Sequence, residues 1–114
     1  MNECLFCNIT AGETDTELLY KDDKIAVFED INPQAPVHLL LVPHKHLSSL
    51  RELNENHKEL IGHIYLVANK LAEEKDIAES GYRIVSNCGK EGGQTVSHIH
   101  FHLLGGRQMQ WPPG

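Results

Sequence analysis

Three histidines occupy alternate positions in His98-Ile99-His100-Phe101-His102-Leu103. In an extended strand this sends the three imidazoles to one face and Ile99, Phe101 and Leu103 to the other. Imidazole changes charge near neutral pH and serves as nucleophile, acid, hydrogen-bond donor or metal ligand. Two chemistries fit. The first is metal binding, with a restriction. At a rise of about 3.3 Å per residue, His98 and His102 lie roughly 13 Å apart, so no single zinc can meet all three. The second is an anion site. Gly92-Gly93-Gln94-Thr95, just before the triad, can present free backbone N–H groups to a phosphate. No lysine follows the glycines as in a Walker loop, so this is not a P-loop. A solvated face that merely includes histidine is the plain alternative. Three identical residues in register beside a glycine-rich loop argue against it.

A second cluster is Cys4-Leu5-Phe6-Cys7. Without an export signal, this spacing reads as metal or redox chemistry rather than a structural disulfide. Zinc would need two more ligands, and His44, His46 and the triad are the candidates. No βα unit precedes the pair, which disfavours a thioredoxin-like motif. Cys88, in the loop beside Asn87, has no evident role.

The remaining chain bounds these options. At 114 residues it is one domain, spanning residues 1–114. With 40% hydrophobic residues, it can bury a core; about 60–70% of the unfolded surface is lost at this size. The net charge of −6 argues against a protein that coats nucleic acid or anionic lipid. It leaves room for one small anion in a locally positive pocket. The apolar run Leu39 to Val42 is strand-sized, far from the roughly 20 residues of a membrane span. The N-terminus lacks a basic segment followed by an apolar one, which predicts no signal peptide and a reducing, cytoplasmic setting.

The elements that must position these groups follow from pattern. Cys4 to Thr10 reads as a short helix ending at Ala11-Gly12. Leu18–Tyr20 and Lys24–Glu29 read as a hairpin, and Val37–Val42 as a buried strand. Asp30–Pro36 is a loop. Asn54 or Asn56 can cap the next segment, with Glu59 completing a capping box from Asn56. Leu60, Ile61, Ile64, Val67, Ala68 and Leu71 then mark an amphipathic helix to about Lys75. Tyr82–Ser86 and Ser97–Leu104 are strands around the glycine-rich loop 87–95. The sum is an α+β domain with an antiparallel sheet. His44 reads as a surface residue. His57 and His63 lie on different faces of the long helix and read as solvated or packing.

His98-x-His100-x-His102 followed by Leu103-Leu104 resembles the signature of the histidine triad (HIT) family. Gly92-Gly93-Gln94-Thr95-Val96, the loop Asp30-Ile31-Asn32-Pro33-Gln34-Ala35-Pro36-Val37-His38 and the tail Gly105-Gly106-Arg107-Gln108-Met109-Gln110-Trp111-Pro112-Pro113-Gly114 look like the Hint branch, the histidine triad nucleotide-binding proteins. The likeness spans about residues 4–114. It implies a five-stranded antiparallel sheet with one long and one short N-terminal helix, the sheets of two subunits joined across a homodimer. The tail, 106–114, would dock toward the partner subunit.

The implied activity is hydrolysis of the bond between a purine nucleoside 5'-monophosphate and an amine, releasing AMP or GMP. His100 would be the nucleophile, forming a nucleotidyl-histidine. His102 would steady the phosphate charge. Thr95, commonly serine in this branch, keeps a hydroxyl near the phosphate or leaving group. His38 would orient the nucleophilic imidazole from behind. Asn87, Gly93 and Gln94 match positions around the phosphate, and Asp30 the acceptor for the ribose hydroxyls. Leu5, Phe6, Ile9, Phe28 and Ile31 match the apolar walls of the base pocket. Relatives with Cys-x-x-Cys carry a structural zinc, which implies Cys4, Cys7, His46 and His98 as its ligands. No organic cofactor, nucleic acid or membrane partner is implied. The alternative is a nucleotide- and zinc-binding interaction protein with incidental turnover; an intact His100 favours the enzyme. A zinc-dependent hydrolase ranks last, because four ligands leave the metal no open position.

Overall fold

The computed structural model describes residues 3–114. Helix α1 (Leu5–Thr10) precedes strands β1 (Tyr20–Lys21), β2 (Ile25–Glu29) and β3 (Val37–Pro43). Two 3-10 turns, Leu50–Glu52 and Glu55–His57, lead into α2 (Lys58–Glu74), followed by β4 (Tyr82–Val85) and β5 (Phe101–Gly105). The strands form one sheet in the order β1-β2-β3-β5-β4, antiparallel throughout. This is the expected α+β architecture. No helix among the described residues is long and apolar enough to cross a membrane.

Alternation divides the sheet into two working faces. Ile25 and Val27, Leu39 and Leu41, and Phe101 and Leu103 pack with Ile64, Val67, Ala68 and Leu71 of α2. The opposite residues, Phe28, Leu40 and Val42, pack with Phe6 and Ile9 of α1. His102 stands across from Leu40 in the β3–β5 ladder, which puts it on the α1 face, away from the main core.

Several boundaries differ from the sequence expectation, each for a local reason. The last strand begins at Phe101, not Ser97. The backbone before it is engaged elsewhere: the Ile99 amide donates to the Leu47 carbonyl, and Ser86 Oγ donates to the His100 carbonyl. His98 and His100 therefore precede the strand, yet the alternation holds: Ile99, Phe101 and Leu103 face the α2 core, while the rings of His98 and His100 lie against Phe6 on the α1 side with His102 opposite Leu40. The helix starts at Lys58 without a side-chain cap of its own; Asn54 caps the 3-10 turn before it, its side chain accepting from the Asn56 amide. The capping box closes on His57, whose Nδ1 accepts from the Asn54 amide at 3.0 Å, rather than on Glu59. His57 is accordingly buried. His44 is half-buried, its Nε2–H donating to the Asp22 carbonyl at 2.8 Å.

Asp22 in the β1–β2 turn ties that hairpin to α2. Its carboxylate accepts from Tyr20 Oη (2.7 Å), the Lys24 and Ile25 amides (2.8 and 2.9 Å) and His63 Nε2 (2.6 Å). Burial alone would raise this carboxyl. The hydrogen bonds from Tyr20, the Ile25 amide, His63 and the Lys24 amide outweigh it and hold Asp22 well below the usual carboxylate range. A depressed acid stabilises the fold above its unfolded pKa and loses that contribution as pH falls through the folded one. Asp22→Asn is expected to cost about 1–2 kcal/mol at pH 7. The gap to wild type should narrow below about pH 4, read by urea unfolding across pH. A gap that stays constant down to pH 2.5 would assign the loss to shape rather than charge.

Candidate active site

A cleft of about 290 Å³ opens on the α1 face of the sheet. Leu5, Phe6 and Ile9 of α1 line it with Phe28, Leu40 and Ile31, and Asp30, Thr95, His100 and His102 complete its polar end. Phe6 meets Phe28 and His100 edge-on, with ring centroids 5.6 and 5.0 Å apart. The walls are apolar and pre-packed, as a site for a flat hydrophobic group requires. Ile31 is 99% exposed and forms an open rim.

The imidazoles are ordered by their hydrogen bonds, because a carbonyl can only accept. His100 Nδ1 lies 2.7 Å from the His98 carbonyl oxygen and must donate to it. Its Nε2 is left with a bare lone pair. His38 Nδ1 accepts from the Gln34 amide at 3.0 Å, so His38 carries its proton on Nε2. That proton is donated to His102 Nδ1 at 2.9 Å, while Asp30 Oδ2 lies 3.4 Å from the donating His38 Nε2. His102 therefore bears its proton on Nε2. Among the described residues, His102 Nε2 is the one buried side-chain nitrogen or oxygen with no hydrogen-bond partner. A buried donor without an acceptor is costly in an empty site and useful in a filled one.

Burial favours the neutral forms of His38 and His102. Burial, then the neighbouring His100 and His38, push the His102 imidazole down to about 4, against the pull of Asp30. Burial likewise lowers His38, opposed by Asp30. Asp30 Oδ1 also accepts from the Asn32 amide at 2.9 Å, which fixes the carboxylate at the cleft mouth. Asp30, His38 and His102 fall within 4.8 Å of one another, but their facing nitrogens are already joined donor to acceptor.

Leu5, Phe6, Ile9, Phe28, Asp30, Ile31, Thr95, His100 and His102 thus converge as expected. His38 stands behind His102 rather than behind His100, whose Nδ1 is held by its own chain. Asn87, Gly93 and Gln94 do not line the cleft. Gln94 secures the glycine-rich loop instead: its amide donates to the Ser48 and Val96 carbonyls and its oxygen accepts from the Gly89 amide. That loop packs tightly, since a Cβ on Gly92 would sit 2.3 Å from the Cys88 carbonyl oxygen. Thr16, Glu29, Leu40 and Val96 line the cleft without having been singled out. Leu40 was legible as the inward neighbour of Phe28 on alternating strands; Thr16 lies in irregular backbone with no periodic signal.

Beside the cleft, Cys4, Cys7, His46 and His98 bring four ligand atoms within 4.8 Å of one another. His98 Nδ1 lies 3.3 and 3.5 Å from the two sulfurs and 3.1 Å from His46 Nδ1, which is 3.4 Å from Cys7 Sγ. Ligand atoms of a tetrahedral zinc sit roughly 3.3–3.8 Å apart, so the set fits that ion. His98 Nε2–H donates to the Pro43 carbonyl at 2.8 Å, which leaves Nδ1 unprotonated and aimed at the cluster. His98 is fully buried. Its ring serves the cluster while its carbonyl holds His100.

A family model described as scavenger mRNA decapping enzyme C-terminal binding matches residues 3–111. The chain is 43% identical over 112 residues to an uncharacterised HIT-like protein of Synechococcus elongatus, across 98% of this chain and 97% of that one. Its structure is similar to that of a HIT family hydrolase from Legionella pneumophila, with a TM-score of 0.96 and 49% identity over 98% of this chain and 100% of the other. It is also similar to a histidine triad nucleotide-binding protein from Candida albicans, with a TM-score of 0.81 and 30% identity over 96% of this chain and 83% of that one. The match along nearly the whole chain joins the His98–His102 signature and its cleft in one assignment: the chain belongs to the histidine triad family.

Proposed function

We propose that this chain is a nucleotidyl hydrolase of the Hint branch that cleaves the P–N bond of purine nucleoside 5'-monophosphate phosphoramidates. The observation that carries this reading is the pairing of a bare His100 Nε2 with an unpartnered His102 Nε2–H at the polar end of an apolar cleft. The base lies against Leu5, Phe6, Ile9 and Phe28, and Asp30 accepts from the ribose hydroxyls. His100 Nε2 attacks phosphorus, and the P–N bond breaks as the amine leaves with a proton taken from solvent, which the later attack of water returns. Water then attacks the nucleotidyl-histidine, restoring His100 and releasing AMP or GMP. His102 donates to a phosphoryl oxygen as charge grows there. Thr95, which also lines the cleft, would place its hydroxyl at the phosphate or leaving group. The nucleotide-binding relative and the HIT family hydrolase neighbour support a nucleotide ligand and a hydrolytic outcome.

Cys4, Cys7, His46 and His98 would hold a structural zinc, which supplies a rigid tie and no open coordination position. The exposed Tyr65 and Leu66 on α2, and the sheet edge at β4, support a homodimer. The tail would reach the partner's leaving-group side.

The test is incubation with adenosine 5'-lysine phosphoramidate and a rapid alkaline quench. AMP release and a mass increase of one adenylyl group on the peptide carrying His100 are expected. AMP release with no adduct on that peptide would reject the nucleophile.

A further inference from the structure

The polar end of the cleft is tied to the C-terminal segment by hydrogen bonds that all run one way. Arg107 Nε–H donates to the Gln34 carbonyl at 2.9 Å. The Gln34 amide donates to His38 Nδ1 at 3.0 Å. His38 Nε2–H donates to His102 Nδ1 at 2.9 Å, and His102 Nε2–H is the unpartnered donor. Gln34 is thus gripped on both sides, by a guanidinium at its oxygen and an imidazole at its nitrogen. A second contact presses the same segment into place. Gly106 has φ +93°, and a Cβ there would lie 2.9 Å from Pro36 Cβ. The turn before Arg107 therefore rests directly on the loop that Arg107 holds.

We infer that Arg107 is a positioning residue for the phosphate donor: by holding Gln34 against His38 it sets the proton arrangement of His38 and His102. The inference rests on the nucleotidyl hydrolase reading above. Its physical basis is that the two imidazoles can share their proton in two ways. In the observed one, the Gln34 amide occupies His38 Nδ1 and both protons sit on Nε2. If the Gln34 amide withdraws, His38 can take its proton on Nδ1. His38 Nε2 then accepts from His102 Nδ1–H, and His102 Nε2 becomes a lone pair. A lone pair facing a phosphoryl oxygen repels where a donor attracts. The Gln34 amide selects between a working and an opposing arrangement, and Arg107, with the Gly106 turn, keeps that amide in position. The guanidinium suits the task because its planar fork donates to a carbonyl with fixed geometry. Pro33 and Pro36 flank Gln34 and stiffen the segment between tail and histidine.

The experiment reads ring nitrogens and turnover on the full chain with its metal content matched. In wild type, long-range ¹H–¹⁵N correlations of His38 and His102 should show the Nε2–H form at both. In Arg107→Met both rings should move toward a mixture. Turnover of adenosine 5'-lysine phosphoramidate should then fall in kcat by about tenfold with KM changed less than twofold, and Arg107→Lys should recover most of it. In a His38→Asn background, Arg107→Met should cost nothing further, because the path is already cut. A folded Arg107→Met with unchanged ring forms overturns the inference, as does a loss that simply multiplies with that of His38→Asn. The ring measurement needs no substrate. A chain inactive on phosphoramidates with the expected ring shift would reject the hydrolase reading and keep the positioning role of Arg107.

Discussion

Replacing His100 with alanine is expected to lower turnover of a purine nucleoside phosphoramidate by about 10,000-fold, near 5.5 kcal/mol of transition-state stabilisation. The size follows from the role. A nucleophile lost from a covalent mechanism leaves only binding and charge stabilisation. No nearby group can substitute. His102 Nδ1 accepts from His38 and its Nε2 carries a proton, and the His98 ring belongs to the thiol cluster. Binding should survive, since the apolar walls and Asp30 make contacts independent of the reacting nitrogen. AMP affinity is therefore expected to stay within about threefold while kcat collapses. Stopped-assay kinetics and AMP titration of His100→Ala separate the two. A residual rate within tenfold of wild type would remove the covalent mechanism. The edge-on contact with Phe6 also disappears in the variant, so a matched melting curve belongs beside the kinetics.

The second large effect concerns the cluster that holds His98. Cys4→Ser/Cys7→Ser is expected to abolish zinc binding and lower the melting temperature by roughly 10 °C, a few kcal/mol at this domain size. The loss should be partial, because the main core between the sheet and α2 does not include the cysteines. In wild type a strong chelator should bring the melting temperature down to the variant's value and leave the variant unchanged. Metal analysis alongside calorimetry checks both. Full zinc occupancy in the double variant, or a wild-type melting curve indifferent to chelation, would sink the site. Turnover should fall as well, by about tenfold, because the His98 carbonyl fixes the His100 proton.

The sequence carried much of this because its strongest signals are periodic. Alternation at Ile99, Phe101 and Leu103 identified the side that packs on α2, and the structure buries all three there. The helix was legible from Leu60 to Leu71, although its start was not. The capping box closes on His57, a residue outside the usual glutamate pattern, through a ring nitrogen doing a carboxylate's work. Asp22 and His63 meet across 41 residues of chain, and no local pattern reports such a contact. The triad itself was half legible. Spacing located the three histidines, but the strand they imply starts only at Phe101. The backbone around His98 and His100 bonds to Leu47, to Ser86 and to the His100 ring instead of to a ladder. The proton positions, on which the chemistry depends, come only from which carbonyl or amide faces each ring.

Helix α1 is six residues long, too short to persist on its own strength. It nonetheless supplies Leu5, Phe6 and Ile9 to the cleft wall and carries Cys7, with Cys4 immediately before it. On the proposed reading, grip on the nucleobase and possession of a zinc would therefore be not two properties but one. A preparation half-stripped of zinc should behave as a mixture of two enzymes, one tight and one loose, and not as a single enzyme of middling affinity.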